Sequence, residues 1–441
     1  MVGGASGPAA ATKGMLMSDR FSSVNRREWF SSCLAATVLG STLNDRLLAG
    51  PEDRLVPVAG VATVYTRNSH ADVLLGKILE GYRQDGGEGP RLKLASLYVD
   101  QFPSSDLSRK LADRYGVRLC QTIDDALTWG TGKLQVKGVL SIGEHGEYPL
   151  ADDTGQREYP RRRFFDEIVK VLERTEQVIP VFNDKHLAWN WRDASAMYRA
   201  AERLGFPFMA GSSLPVAWRE PRLSLPIGGR MKSAVAVGYG GLEAYGFHAL
   251  ETLQCMVERR AGGETGLESV RCVTVEQLRD GQEQFGEEIE QLIHDALQSL
   301  PETDGSNWRQ RLKPGSGVYL LRYRDGLQAA VAMLNGVARQ FGFAARLADR
   351  TETAACWFRL EETAPFGHFE FQLRAIEAMM LTGQPAYPVE RTLLTTGALD
   401  ALMHSHAWEG AEVRTSHLDI RYRPREWPFA NSPESGINGS E

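Results

Sequence analysis

The feature that most constrains this chain is an alternation of short apolar runs with amphipathic stretches, beginning at Val58 and ending at Ala210. Val58 to Tyr65 is a continuous run of apolar and small residues, as a strand buried on both faces requires. Thr66-Arg67-Asn68-Ser69 interrupts it, and Ser69 followed by Asp72 marks a helix start, with the helix running to about Arg83. The unit then repeats. Strands are expected over Leu92–Val99, Val117–Cys120, Val136–Ile142, Val178–Phe182 and Pro207–Ala210. Helices fall between them, over Asp106–Tyr115, Ile123–Leu127, Phe164–Arg174 and Trp191–Leu204, with Gly116 and Gly205 as stops. This spacing implies a parallel, doubly wound sheet with helices on both faces. Right-handed crossovers place a ligand crevice at the carboxyl ends of its strands. Tyr65, Arg67, Asn68, Ser69, Asp100, Glu144 and His145 are expected along that edge, with Asn183 to His186 beside them.

Past Ser212-Ser213-Leu214-Pro215 the pattern changes. A helix is expected from about Glu243 to Arg260, and strands over Gly317–Tyr323, Gln328–Leu334, Phe341–Arg346 and Ala354–Leu360. Helices over Phe369–Leu381 and Val389–Ser405 and a strand around Leu418–Tyr422 complete an α+β unit. The reading divides the chain into an N-terminal segment 1–50, an α/β domain 51–215, an α+β domain 216–425 and a Pro, Ser, Asn and Gly-rich tail 426–441 expected to be disordered. A chain of 441 residues has length for two such cores.

Composition narrows the partners. With 50 basic and 56 acidic residues spread along the chain, no basic domain stands out, and no nucleic-acid partner is expected. The run Arg161-Arg162-Arg163 reads as a solvated face. Five scattered cysteines without C-x-x-C spacing suit buried free thiols, and no metal site is expected, since His404 and His406 have no evident partners. In the first fifty residues Asn25-Arg26-Arg27-Glu28-Trp29-Phe30 precedes a short, weakly apolar run, Ser31 to Gly40. That order resembles a twin-arginine export signal and implies a periplasmic or exported protein; an ordinary amphipathic helix on a cytoplasmic protein is the alternative. No stretch reaches the length of a membrane span.

The stretch Asp106-Leu107-Ser108-Arg109-Lys110-Leu111-Ala112-Asp113-Arg114-Tyr115-Gly116-Val117 followed by Ile123-Asp124-Asp125-Ala126-Leu127 resembles the Gfo/Idh/MocA oxidoreductases. Pro180-Val181-Phe182-Asn183-Asp184-Lys185-His186 is similar to their Glu-Lys-Pro segment, with Lys185 at the lysine. Gly240-Gly241 and Gly246 with His248 resemble their Gly-Gly…Asp-x-Gly-x-His segment, with Ala244 at the aspartate position and Glu243 and Tyr245 beside it. The resemblance spans most of residues 55 to 425. It implies a Rossmann-like domain followed by an α+β domain with an open-faced, mainly antiparallel sheet, whose open face makes a homo-oligomer. It also implies NAD or NADP as cofactor and a sugar or polyol as substrate. The first turn departs from the family: Ala62 to Ser69 holds no glycine, whereas a dinucleotide turn uses glycines so that backbone amides approach the pyrophosphate.

What the resemblance implies for the site is hydride transfer, with Lys185 and His248 as the catalytic pair moving the hydroxyl proton. A surface-pairing lysine and a satisfied core histidine are the structural alternatives. Tyr65, Arg67, Asn68, Ser69, Asp100, Glu144 and His145 are the candidate cofactor contacts. Asp100 is either a ribose ligand or a turn residue, and Glu144 and His145 either touch ligand or cap their loop. Three functions follow: an oxidoreductase with an unusual cofactor mode, a sugar lyase or hydrolase retaining a nicotinamide, or a non-catalytic binding or interaction protein on the same fold.

Overall fold

The computed structural model describes residues 55–281 and 285–433, so the expected export signal lies outside the described residues. The first half alternates as its apolar spacing requires. Its elements are β1 (Val56–Ala62), α1 (His70–Glu80), β2 (Leu92–Val99), α2 (Ser108–Tyr115), β3 (Arg118–Cys120), α3 (Ile123–Thr128), β4 (Val139–Ile142), α4 (Arg161–Thr175), β5 (Val181–Asp184), α5 (Trp191–Leu204) and β6 (Phe208–Gly211). The strands lie in the order β3-β2-β1-β4-β5-β6, all parallel. The chain reverses its direction of growth between β1 and β4, where the loops leaving the two strands part and open a crevice. Local chemistry sets the ends. The Ser69 and Asn190 side chains cap α1 and α5, while Gly116 and Gly205 take left-handed backbone past α2 and α5. Gly60 lets α1 sit close on the sheet, since a Cβ there would lie 2.8 Å from Leu75.

The second half supplies β7 (Trp218–Glu220), β8 (Met231–Gly238), α6 (Ala244–Val257), β9 (Leu267–Thr274), α7 (Val275–Arg279), α8 (Glu287–Gln298), β10 (Gly317–Tyr323), β11 (Gln328–Met333), β12 (Phe341–Leu347), β13 (Ala354–Arg359), α9 (His368–Thr382), α10 (Val389–Ala407) and β14 (Val413–Arg414). Its strands run β14-β9-β10-β11-β8-β12-β13-β7, antiparallel except for the β8–β11 pair. The sheet is therefore mainly antiparallel, as expected, around a strand, β8, that the sequence reading passed over.

Three expectations are corrected and a fourth is narrowed. The strand expected at 418–422 is a short 3-10 turn, Ser416–Leu418, followed by a single bridge from Tyr422 to Glu264; the edge strand is β14. The sheet face expected to meet a second copy is covered by the chain itself over β8, β11 and β12 and stays open over β9 and β10, where Arg271 and Leu320 are half-buried and Arg322 is exposed. α8 lays Leu292, Ile293, Ala296 and Leu297, all fully buried, over Val235, Val237, Ala332 and Ala344. Disorder does not begin at 426, because Phe429 and Ala430 are buried and the Ala430 amide donates to the Val216 carbonyl. Arg161 is no solvated residue but fully buried, whereas Arg162 and Arg163 do face outward into ion pairs.

The helices of the second half also reach back. α9 packs Phe369, Phe371, Leu373, Ile376 and Met379 into the core that holds Val58, Leu74, Leu94 and Leu97. The described cysteines, Cys120, Cys255, Cys272 and Cys356, are buried free thiols. No helix among the described residues is long and apolar enough to cross a membrane.

Candidate active site

A cleft of about 620 Å³ opens between the two sheets, at the carboxyl ends of β4 and β5. His70, Glu144, His145 and Lys185 line it from the first half, and Tyr245, His248, Phe341, Glu361 and His368 from the second. Its titratable floor is built from buried partners. Glu144, just past β4, receives Lys185 Nζ on Oε1 at 3.0 Å and Arg161 Nη2 on Oε2 at 2.6 Å. Burial works against its ionisation, but the charges of Lys185 and Arg161 win and hold the carboxyl well below the usual range. Arg161 comes from the first turn of α4 and also donates to His186 Nε2 at 2.8 Å. Burial and then the Arg161 charge hold His186 well below its usual range, so its ring stays neutral and accepts that bond.

Of the four imidazoles that line the cleft, His70 and His248 each have a hydrogen-bonding side chain behind them. His70, the first residue of α1, has Nδ1 2.7 Å from Oδ2 of Asp184, whose side chain is 1% exposed. An aspartate there accepts from Nδ1–H and so fixes the orientation of the ring. His248, on α6, has Nδ1 2.6 Å from the hydroxyl of buried Ser212. Its burial, and then the charge of Lys185, holds it below the ordinary imidazole range. Lys185 sits at φ 61°, left-handed backbone that turns the chain sharply off β5 and directs the ammonium to Glu144. The upper wall is aromatic. Tyr245 lies parallel to Phe341 and tilted against Tyr239. The Glu243 carboxylate is occupied by the Arg157 amide at 3.0 and 3.1 Å, which leaves Tyr245 as the exposed neighbour at the position before Gly246.

Lys185 and His248 are thus brought together, and Glu144 and His145 line the same cleft. The remaining expected cofactor contacts divide. Arg67, Asn68 and Ser69 line an adjoining groove of about 680 Å³ with Gln101, Phe102, His145 and Glu147. Tyr65 does not reach it: its side chain is fully buried in the core between α1 and β2. Asp100 is engaged elsewhere, accepting from the Tyr98 hydroxyl at 2.6 Å, the Tyr148 hydroxyl at 2.7 Å and Arg163 at 2.6 Å. His70, Asp184 as its partner, Ser212 and Arg161 were passed over by the sequence reading. His70 had a signal, since it directly follows the capping Ser69 at a helix start that the topology aims at the crevice.

The groove has room for a ligand, but its residues do not fit a dinucleotide held as this fold holds one. Such a cofactor needs free amides at the first turn and a free acid past β2. Here the Thr66 amide donates to Ser69 Oγ, the Asn68 amide to Asp72 Oδ2 and the Ser69 amide to the Thr66 carbonyl. Asp72 also places a carboxylate where a helix start would attract phosphate. Gln101 ties the end of β2 to the loop past β4 with two bonds to the Glu147 backbone, at 2.8 and 2.9 Å. Gly146 packs on Val64 beneath them, where an added Cβ would lie 3.2 Å from the valine. Among the described residues no group of His, Cys, Asp and Glu could hold a metal ion.

No protein-family model matches the chain, and no curated protein matches it. Solved structures do. One is GenD2 from gentamicin A biosynthesis, in complex with NAD, at 16% identity over 82% of this chain and 97% of that one, with a TM-score of 0.53. Another is a myo-inositol dehydrogenase from Corynebacterium glutamicum ATCC 13032, at 12% identity over 82% and 99%, with a TM-score of 0.50. Likeness at such identity is likeness of fold. The chain has the two-domain fold of the Gfo/Idh/MocA-type oxidoreductases, a parallel dinucleotide-type sheet followed by a mixed, mostly antiparallel one.

Proposed function

We propose that the cleft is the active site of an enzyme acting at a hydroxyl-bearing carbon of a sugar or polyol. One observation carries this reading. Lys185, His70 and His248 surround a single cleft, and each is positioned by a buried partner, Glu144, Asp184 and Ser212 respectively. Such support makes proton carriers of fixed orientation, the geometry that general acid–base catalysis needs. The aromatic wall of Tyr239, Tyr245 and Phe341 suits the apolar C–H face of a sugar ring, and the polar floor suits its hydroxyls. Oxidoreductase chemistry is what the fold's neighbours support. The nicotinamide it would need, NAD or NADP, would supply hydride acceptance, and the first turn does not fit either in the usual mode. The second reading, a binding protein on the same fold, is favoured by that same turn. Residues Arg26 and Arg27 ahead of an apolar run support export to the periplasm by the twin-arginine route.

The test is a panel of neutral sugars and cyclic polyols against the purified chain, read by thermal shift and calorimetry and then by product analysis. Saturable binding that Tyr245→Ala weakens and turnover that His248→Ala abolishes are expected. Binding with no turnover would establish the second reading, and no binding by any of them would refute a sugar or polyol site.

A further inference from the structure

The two ends of the crevice are built to different standards. At the reacting end Lys185, His70 and His248 each have a partner that orients them, as described above. At the cofactor end the groups that would hold a dinucleotide are spent on the protein. The amides of Thr66, Asn68 and Ser69 are satisfied within the turn. The Asp100 carboxylate carries three donors from its own chain. Gln101 clasps the Glu147 backbone across the mouth of the groove. Arg67 is the cation of that groove, and Glu147 lines it on the other side, so the lining gains little attraction for a pyrophosphate. To bind there a dinucleotide would first have to break several of these bonds and displace the Asp72 carboxylate from the Asn68 amide.

We infer that this cleft works without a dinucleotide, by proton transfer alone. The proton-transfer step rests on the sugar or polyol reading above; the exclusion of the dinucleotide does not. The bases come from opposite halves of the molecule, His70 from α1 and His248 from α6, which suits removal of a proton from one face of a carbon and its return to the other. For a sugar carbon beside a carbonyl, the C–H bond breaks and its proton goes to one imidazole. The electron pair moves into an enediolate, whose oxygen meets the Lys185 ammonium; that group makes one bond to Glu144 and has further hydrogens to donate. The other imidazole, which enters the step as the imidazolium, returns a proton to the same carbon from the opposite face and leaves neutral, so the two imidazoles exchange protonation states. Atoms and electrons balance, the carbon is inverted, and no external oxidant takes part.

The experiment uses the full chain purified without added nucleotide. Denaturation and mass spectrometry of the supernatant read retained cofactor, and calorimetry reads binding of NAD⁺, NADH, NADP⁺ and NADPH. The same protein is then incubated in D₂O with a panel of neutral aldoses and ketoses, and deuterium beside the carbonyl is followed by NMR. No retained nucleotide, no saturable binding at millimolar concentration and deuterium incorporation in at least one sugar are expected, with incorporation lost in His70→Gln and in His248→Gln. Retained nucleotide, or saturable binding of any of the four, overturns the inference. Sugars that bind without exchange sink the proton-transfer step and leave the sugar site standing; sugars that do not bind at all sink both.

Discussion

Glu144→Gln is the perturbation whose size the structure specifies most directly. The carboxylate stands between two cations, Lys185 at 3.0 Å and Arg161 at 2.6 Å, and the three side chains are 6%, 5% and 0% exposed. At an effective dielectric of about 20, unit charges about 3 Å apart attract by roughly 5–6 kcal/mol. The amide keeps the shape but loses the charge, and it turns a donor toward one cation. Removing one member of a buried ion pair costs about 3–5 kcal/mol, because the charges left behind stay dehydrated. Urea unfolding of the purified chain should therefore show stability lower by that amount at pH 7 with an unchanged m-value. The pH dependence has a definite sign. Glu144 is held well below its unfolded value, so its contribution is complete above the unfolded carboxylate pKa of about 4.3 and is lost as pH falls below it. Wild type and variant should differ fully at pH 7 and converge in acid. A difference under about 1 kcal/mol at pH 7, or one independent of pH, would refute the electrostatic account of this cluster.

Asp184→Asn should lower turnover or deuterium exchange by roughly 10²-fold while the protein stays folded by circular dichroism, with Asp184→Glu recovering part of the rate; equal rates would show that His70 is not the oriented base. Burial pushes Glu251 up to about 7, so the folded state holds a proton that the unfolded chain releases from about pH 4.3, and stability falls as pH rises through that window. Glu251→Gln should match wild type near pH 4 and exceed it by on the order of 3–4 kcal/mol at pH 8, and urea titrations at the two pH values check this. A fusion of residues 1–50 to a folded reporter should reach the periplasm of a host with a working twin-arginine system and stay inside when Arg26 and Arg27 are both replaced by Lys; export of that variant would remove the localisation reading.

Much of the architecture was legible because it rests on local chemistry. Leu92–Val99 and Trp191–Leu204 begin and end where apolar period, the Asn190 cap and the Gly205 stop say they should. Met231–Gly238 was passed over although its Ala-Val-Ala-Val core is strand-like, and it lies at the centre of its sheet between β11 and β12. Glu287–Gln298 was passed over as well; it is amphipathic, but which surface its apolar face covers depends on residues as distant in sequence as Ala344.

Sequence pattern sufficed for the parallel sheet and for the edge of it where a crevice opens, because strand period, helix caps and crossover handedness act over a few residues or follow from chain order; Lys185 and His248 were named from a family resemblance, and both line the one cleft. Which groups at that edge are left unbonded by the rest of the protein depends on the packed structure. Asp100 and Tyr65 looked available and are taken, one by Tyr98, Tyr148 and Arg163 and the other by the core. Arg161 looked solvated and is buried on Glu144. His70 gained a fixed orientation once β5 placed Asp184, 114 residues away in sequence, at its Nδ1. The ability of a polar group to act depends on what already bonds it, and those partners are neighbours in space that no local pattern names.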